Sequence, residues 1–251
     1  MKQRIGILGG MGPAATIDLM QKILAATPAQ RDQDHVPLVV WSVPQMPERV
    51  SAILSGTSSP LPQLVAGAQA LERSGAAALA IACNTAHHWA DALSERISIP
   101  VLHIADAVIT HLGRRAAPVR TVALLATAAT LHSGFYQARF AAQGIATLVP
   151  AALDQAQGVT TAIQFVKAGR IEAARALFLP VARRMLDAGA DSLLLGCTEL
   201  PLLTPGSGFE AQCLDATSAL AHACIAFAMR GEALTNPTEP RLGDQMARGL
   251  S

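Results

Sequence analysis

The sequence predicts an α/β protein built as two similar lobes that face each other across a cleft. Two observations carry that prediction: short aliphatic runs alternate with longer helical patterns along the chain, and two stretches repeat at a shift of 114 residues. Composition agrees. The 251 residues are 51% hydrophobic and 15% charged, against the ~25% charged usual for soluble proteins, so disorder is excluded and a large core is expected. At ~150 residues per domain, one large domain or two smaller lobes are both allowed.

In chain order, the β-branched and aliphatic runs predict strands at 4–9, 36–42, 77–83, 99–103, 120–126, 145–149, 191–197 and 211–214. Between them the helical period predicts helices at 14–26, 62–74, 86–96, 105–115, 131–143, 154–168, 171–188 and 216–230, several of them ending in Gly or Pro. Strand, helix, strand repeated in this way implies a parallel sheet. The first lobe is assigned to 1–105 together with 215–251, which returns to it through the last helix, and the second lobe to 106–214. From Gly231 to Ser251, with Pro237 and Pro240, periodicity is lost and a surface extension is expected.

The repeat locates the chemistry. IGILGGMGPAAT ends at Thr16 and VRTVALLATAAT at Thr130, while GAAALAIACNT carries Cys83 and GADSLLLGCTE carries Cys197. Sixty-seven residues separate the threonine from the cysteine in both copies. Parallel α/β sheets bind ligands beyond the carboxyl ends of their strands, so both cysteines and both Thr-ended loops are expected to meet in one cleft.

Charge narrows the class of function. Nineteen Lys and Arg against eighteen Asp and Glu leave +1, which offers no long-range field for phosphates or acidic lipid, so no nucleic-acid partner is expected. Aromatics, at 4%, are too few for base-stacking platforms. Apolar runs are interrupted by Asn84, Glu199 and His222 before the ~18 to 20 residues a membrane span needs, so no membrane association is expected. Lys2 and Arg4 before an apolar stretch imitate a signal peptide, but Gly9, Gly10, Gly12 and Pro13 would break its helix, and a cytoplasmic chain is expected. Four cysteines in that setting suggest reactive thiols rather than a disulfide framework.

Cys83 and Cys197 each sit at a strand-to-helix junction, where Asn84 or Thr85 and Thr198 are candidate caps. Helix N-terminal amides favour negative charge and should lower a thiol pKa from about 8.5, which suits an acid/base role. Cys213, in the run CLDA, and Cys224, on ALAHACIAFAM, read as packing residues. GILGGMGP loosely satisfies a dinucleotide-binding loop. The second strand ends in Ser42 and Val43 without the ribose-binding acid, so its glycine amides suit a small carboxylate better. Cys83 and His87 are four residues apart, but no C-x-x-C pair accompanies them, and no metal is expected. His87 and His88 read as an orienting residue and a surface residue.

LGGMGPAAT, RDQDH, MPER, ACNTAH, LLAT with AAT, and GADSLLLGCTELPLL, in that order from about Ile5 to Ala228, together resemble the aspartate/glutamate racemase superfamily, most closely its aspartate racemase branch. The resemblance implies two lobes of four parallel strands related by pseudo-twofold symmetry, a homodimer, a small amino-acid substrate in the interlobe cleft, and no cofactor. Cys83 and Cys197 match the two catalytic thiols. Asn84, Thr85, Thr130 and Thr198 match polar groups around the substrate, and Met11 and Gly12 match the loop that holds the α-carboxylate. Arg49 and Lys167 match the cations that receive a side-chain carboxylate, and Gln45 and Glu199 are carried over as further substrate contacts. Val43 stands where aspartate racemases often have Asn. The implied activity is therefore cofactor-independent racemisation, aspartate being the leading substrate. A broader, glutamate or hydantoin range stays open, as does a noncatalytic protein that binds an acidic amino acid.

Racemisation removes the α-proton from one face and returns a proton to the other, so a rigid site needs two acid/base groups on opposite sides of Cα. One thiol must begin ionised and the other protonated.

Overall fold

The computed structural model describes residues 2–230, so the segment 231–251, expected as a surface extension, lies outside the described residues. Eight strands form two parallel sheets. The first contains β1 (Ile5–Gly9), β2 (Leu38–Ser42), β3 (Ala78–Ile81) and β4 (Val101–Leu102) in the order β2-β1-β3-β4. The second contains β5 (Thr121–Ala126), β6 (Ala146–Leu148), β7 (Ser192–Gly196) and β8 (Cys213–Asp215) in the equivalent order β6-β5-β7-β8. β1, β3 and β7 are buried at every residue, which is why they read as unbroken aliphatic runs rather than alternating ones.

The helices are α1 (Pro13–Ala26), α2 (Arg49–Ser55), α3 (Leu61–Arg73), α4 (Ala90–Ser94), α5 (Ile104–Leu112), α6 (Ala128–Ser133), α7 (Phe135–Ala141), α8 (Thr161–Lys167), α9 (Ile171–Asp187) and α10 (Ala216–Met229). Helix α10 starts where the Asp215 carboxylate accepts from the Thr217 and Ser218 amides, and it packs along α1 and α5. It also touches β3, β4, β7 and β8. A single apolar cluster thus runs from Ile5, Ile7 and Ala80 through Ile104, Leu220 and Cys224 to Val122, Leu124 and Leu194, joining both sheets. The outer faces have their own cores: Leu8, Leu64 and Leu79 in the first sheet, and Leu125, Phe178 and Leu193 in the second.

Four local departures from the sequence reading have physical causes. The run 86–96 is a 3-10 helix, Thr85–Trp89, followed by α4, because His87 turns back to hydrogen-bond the Cys83 carbonyl. The run 131–143 is split at Gly134, whose φ of 69° ends α6 before α7 begins. The run 154–168 opens as a π-helix, Asp154–Thr160, before α8. Helix α2 was not anticipated: none of its residues is buried, so no apolar period marks it, although Glu48 caps its start and Gly56 ends it with φ 64°.

The repeat is also less regular than its sequence spacing. Ile5 pairs with Ala78, 73 residues on, whereas Val122 pairs with Ser192, 70 residues on. The first lobe has three residues, Gly10–Gly12, between strand and helix where the second has only Thr127. Thr16 and Thr130 are therefore not structural equivalents, while Cys83 and Cys197 remain so.

Gly158 in the π-helix presses against α9, where an added Cβ would lie 2.4 Å from Val181 Cγ2. Because Val is stiff at χ1, Gly158→Ala should cost about 1–3 kcal/mol, read as a lower urea midpoint with an unchanged slope.

Candidate active site

The carboxyl ends of β1, β3, β5 and β7 converge on one enclosed cavity of about 30 Å³. Cys83 and Cys197 both line it, one from each sheet. From the first lobe come Met11, Asn84 and Thr85, with Glu48, Arg49 and Val50 at the start of α2. The second lobe contributes Thr127, Lys167, Thr198 and Glu199.

The β1–α1 loop owes its path to glycine and one threonine. Gly10 has φ 86°, and a Cβ there would meet the Val43 carbonyl oxygen at 2.4 Å. Thr16 Oγ1 accepts from the Gly10 amide at 2.9 Å and donates to the Gly12 carbonyl at 3.3 Å, which holds Met11 at the cavity wall. Gly12 itself faces the neighbouring outer groove.

Among the described residues, two buried donors at the cavity have no partner. Asn84 Oδ1 accepts from the Tyr136 hydroxyl at 2.7 Å, which fixes the amide and leaves Nδ2 unmatched. Arg49 donates from Nη1 to the Pro47 carbonyl at 3.2 Å, while its buried Nε is unmatched. Leaving such donors unsatisfied costs about 1–3 kcal/mol each, a penalty that an acceptor-rich ligand would relieve. The hydroxyls of Thr85, Thr127 and Thr130 form a triangle with 3.0 Å sides across the two lobes.

The two thiols differ in their surroundings. Burial pushes the Cys83 thiol up, opposed by the Arg49 cation, the Ala86 amide and Lys167, with Glu199 adding to the rise. Burial raises Cys197 much further, reinforced by the charge of Glu199 and by a hydrogen bond from Sγ to Glu199 Oε2 at 2.9 Å. Thr198 Oγ1 donates to that same oxygen at 3.0 Å, and Lys167 Nζ lies 3.8 Å from Oε1. This corrects the expected lowering of both thiols by helix amides: each cysteine is followed by a 3-10 turn, and neither Asn84 nor Thr198 makes a side-chain cap. Burial dominates both sites.

His87 lies beneath Cys83, buried, with Nδ1 bonded to the Cys83 carbonyl at 2.9 Å and its ring edge-on to His103 at 4.8 Å. Burial and the neighbouring His103 bring its pKa down to about 3, so it is neutral and orients the cysteine turn. Among the described residues, no three His, Cys, Asp or Glu side chains are grouped as a metal site needs. Cys213 and Cys224 lie away from the cavity, raised by burial to about 11 and about 12.

Of the residues singled out in the sequence, Gln45 is not brought here: it lies on the exposed turn before α2. Thr130 is fully buried behind the wall and reaches the cavity only through Thr85 and Thr127. Glu199 is present, but it engages Cys197. Thr127, Glu48, Val50 and Tyr136 escaped the sequence reading. Tyr136 is the only tyrosine in the chain, and a buried tyrosine needs a partner for its hydroxyl, a signal that could have flagged it.

The sequence profile of the Asp/Glu/hydantoin racemase family matches residues 8–224. An aspartate racemase from Picrophilus torridus superposes with a TM-score of 0.79 at 32% identity, covering 90% of this chain and 94% of that one. The broad specificity amino-acid racemase RacX of Bacillus subtilis is 26% identical over 229 residues, 88% of this chain and 96% of that protein. A glutamate racemase from Corynebacterium diphtheriae is 36% identical over 141 residues, 53% of this chain and 49% of its own length. No helix among the described residues is long and apolar enough to cross a membrane.

The unequal surroundings predict unequal reactivity. Iodoacetamide at pH 8 should label Cys83 before Cys197, and Glu199→Gln should speed Cys197 labelling several-fold or more, because it removes the carboxylate charge that opposes the thiolate. Peptide mapping of partially alkylated protein reads both.

Proposed function

The chain belongs to the Asp/Glu/hydantoin racemase family and is an amino-acid racemase, and from that premise we propose that it racemises aspartate by passing protons through Cys83 and Cys197, without a cofactor. The observation that carries this reading is the pairing of two thiols from equivalent strands in a cavity with unmatched donors on Asn84 and Arg49. A noncatalytic binding protein would need the donors but neither thiol.

In this reading the α-carboxylate accepts from Asn84 Nδ2 and the Met11–Gly12 loop, and the β-carboxylate takes Arg49 and Lys167. Cys197 begins protonated, because its S–H is donated to Glu199. Cys83, on the side of the Arg49 cation, begins as the thiolate. The substrate ammonium adds a further cation that favours the thiolate within a buried site. Cys83 Sγ takes the proton from Cα, and the electron pair left behind is delocalised into the α-carboxylate, whose negative charge the fixed donors hold. The S–H of Cys197 then gives its proton to the opposite face of Cα. The enzyme is left with a Cys83 thiol and a Cys197 thiolate, which the other enantiomer consumes in reverse. Lys167 offsets the charge that accumulates beside Glu199. A cytoplasmic homodimer is part of the same proposal.

Incubation of the enzyme with L-aspartate in deuterated water, followed by proton NMR and polarimetry, tests it. Cys83→Ser and Cys197→Ser should each fold normally yet lose at least ~100-fold in racemisation, since a hydroxyl is a far weaker base than a thiolate near neutral pH. Near-normal turnover in either variant would remove the two-thiol mechanism. Arg49→Ala should reduce the preference for aspartate over alanine by roughly 10- to 150-fold, the worth of one charge-assisted contact of about 1.5 to 3 kcal/mol. Steady-state kcat/KM for the two substrates gives that ratio.

A further inference from the structure

The inner cavity, at about 30 Å³, has little more room than one water molecule occupies. A substrate side chain extending from a Cα held between the two thiols must therefore leave it. The way out is a neck formed by Arg49, Lys167, Thr198 and Glu199, which line both the inner cavity and an outer groove of about 630 Å³. That volume is in the range of small-molecule sites. The far walls of the groove are apolar: Pro13 and Ile17 of α1 on one side, Val166 and Leu202 on the other. Ile17 is 55% exposed and Leu202 57%, so both present uncovered aliphatic surface beside the reaction site.

Charge in the groove is balanced. Arg49 and Lys167 face Glu199 and Asp18, Lys167 stands 3.8 Å from Glu199, and Asp18 is held by Lys22 at 2.5 Å. A wall of this kind has no net charge to offer a second ionised group far from Cα, while the aliphatic stems of Arg49 and Lys167 let an apolar chain pass.

We propose that this groove is the side-chain subsite of the racemase, and that it extends the substrate range to neutral α-amino acids with unbranched aliphatic side chains longer than that of alanine. The proposal rests on the racemase reading above and adds to it the class of side chain. Arg49 is half-buried and lines the open groove, so water reaches its guanidinium when such a chain is bound, although Nε stays covered, and the missing carboxylate is tolerated. Each added methylene leaves water against Ile17, Val166 and Leu202, and the gain is a step in kcat/KM for every carbon.

The homologous series alanine, 2-aminobutyrate, norvaline and norleucine tests this through α-proton exchange in deuterated water, with aspartate as control. Expected is a rise of roughly 2- to 4-fold per methylene, about 10-fold or more across the series. Ile17→Trp and Leu202→Trp, one on each wall and both at exposed positions, should flatten the series while aspartate exchange persists. A flat or falling series in an enzyme that exchanges aspartate overturns the subsite and leaves the racemase reading standing. A rising series that neither tryptophan changes also overturns it. Exchange of no amino acid at all overturns the racemase reading and the subsite with it.

Discussion

The inner faces of both sheets are buried in one continuous apolar core, and the placement of the two cysteines follows from that burial. A parallel sheet needs cover on both faces. Here α1, α5 and α10 fill the space between the two sheets, so Ile7 and Leu124 belong to the same cluster although they come from different lobes. With each strand order fixed, the carboxyl ends of β3 and β7 can end only at the mouth of that shared layer. Cys83 and Cys197 face one cavity because the core beneath them is common.

The same burial sets the electrostatic problem of the site. Cys197 is buried and Cys83 half-buried, so both thiols resist ionisation, and the surrounding charges help decide which resists less. Arg49 arrives on α2, a helix with no buried residue, so the cation is carried by the least anchored element of the wall. Glu199 arrives two residues after Cys197 and binds its sulfur directly. The asymmetry between the thiols is thus built from one element that can yield and one that is bonded in place.

Much of this was legible in the residues. The eight strands, their parallel arrangement and the two equivalent cysteines follow from aliphatic runs and from the match of GAAALAIACNT with GADSLLLGCTE. What escaped did so for definable reasons. Helix α2 buries nothing and leaves no apolar period. Gly134 ends a helix whose pattern runs on through it. The equal spacing of Thr16 and Thr130 from their cysteines hid a three-residue difference between the two lobes in the distance from first strand to third, because an alanine-rich sequence offers many alignments of small residues. The direction of the thiol shifts escaped because burial is a tertiary property, whereas a strand-to-helix junction is local. Glu199 could be placed near Cys197 by spacing alone, but its carboxylate bonds sulfur only through a side-chain rotamer that spacing does not encode.

The triangle of Thr85, Thr127 and Thr130 gives the site a polarity of its own. Each hydroxyl has one proton and two lone pairs, so three of them can close a ring in which every proton is already spent. Thr127 is fuller still, since its oxygen also accepts the Thr130 amide at 3.1 Å, and Thr130 is sealed from the cavity. Only Thr85 then turns a free lone pair toward the ligand. A closed ring can receive an ammonium and has nothing to offer a carboxylate. To donate, one hydroxyl must turn out of the ring and give up a hydrogen bond, at about 1 kcal/mol, and at either Thr85 side that bond is one that ties the lobes together. The ring therefore makes the orientation of a zwitterion and the cohesion of the two lobes a single question, answered by where three small protons point.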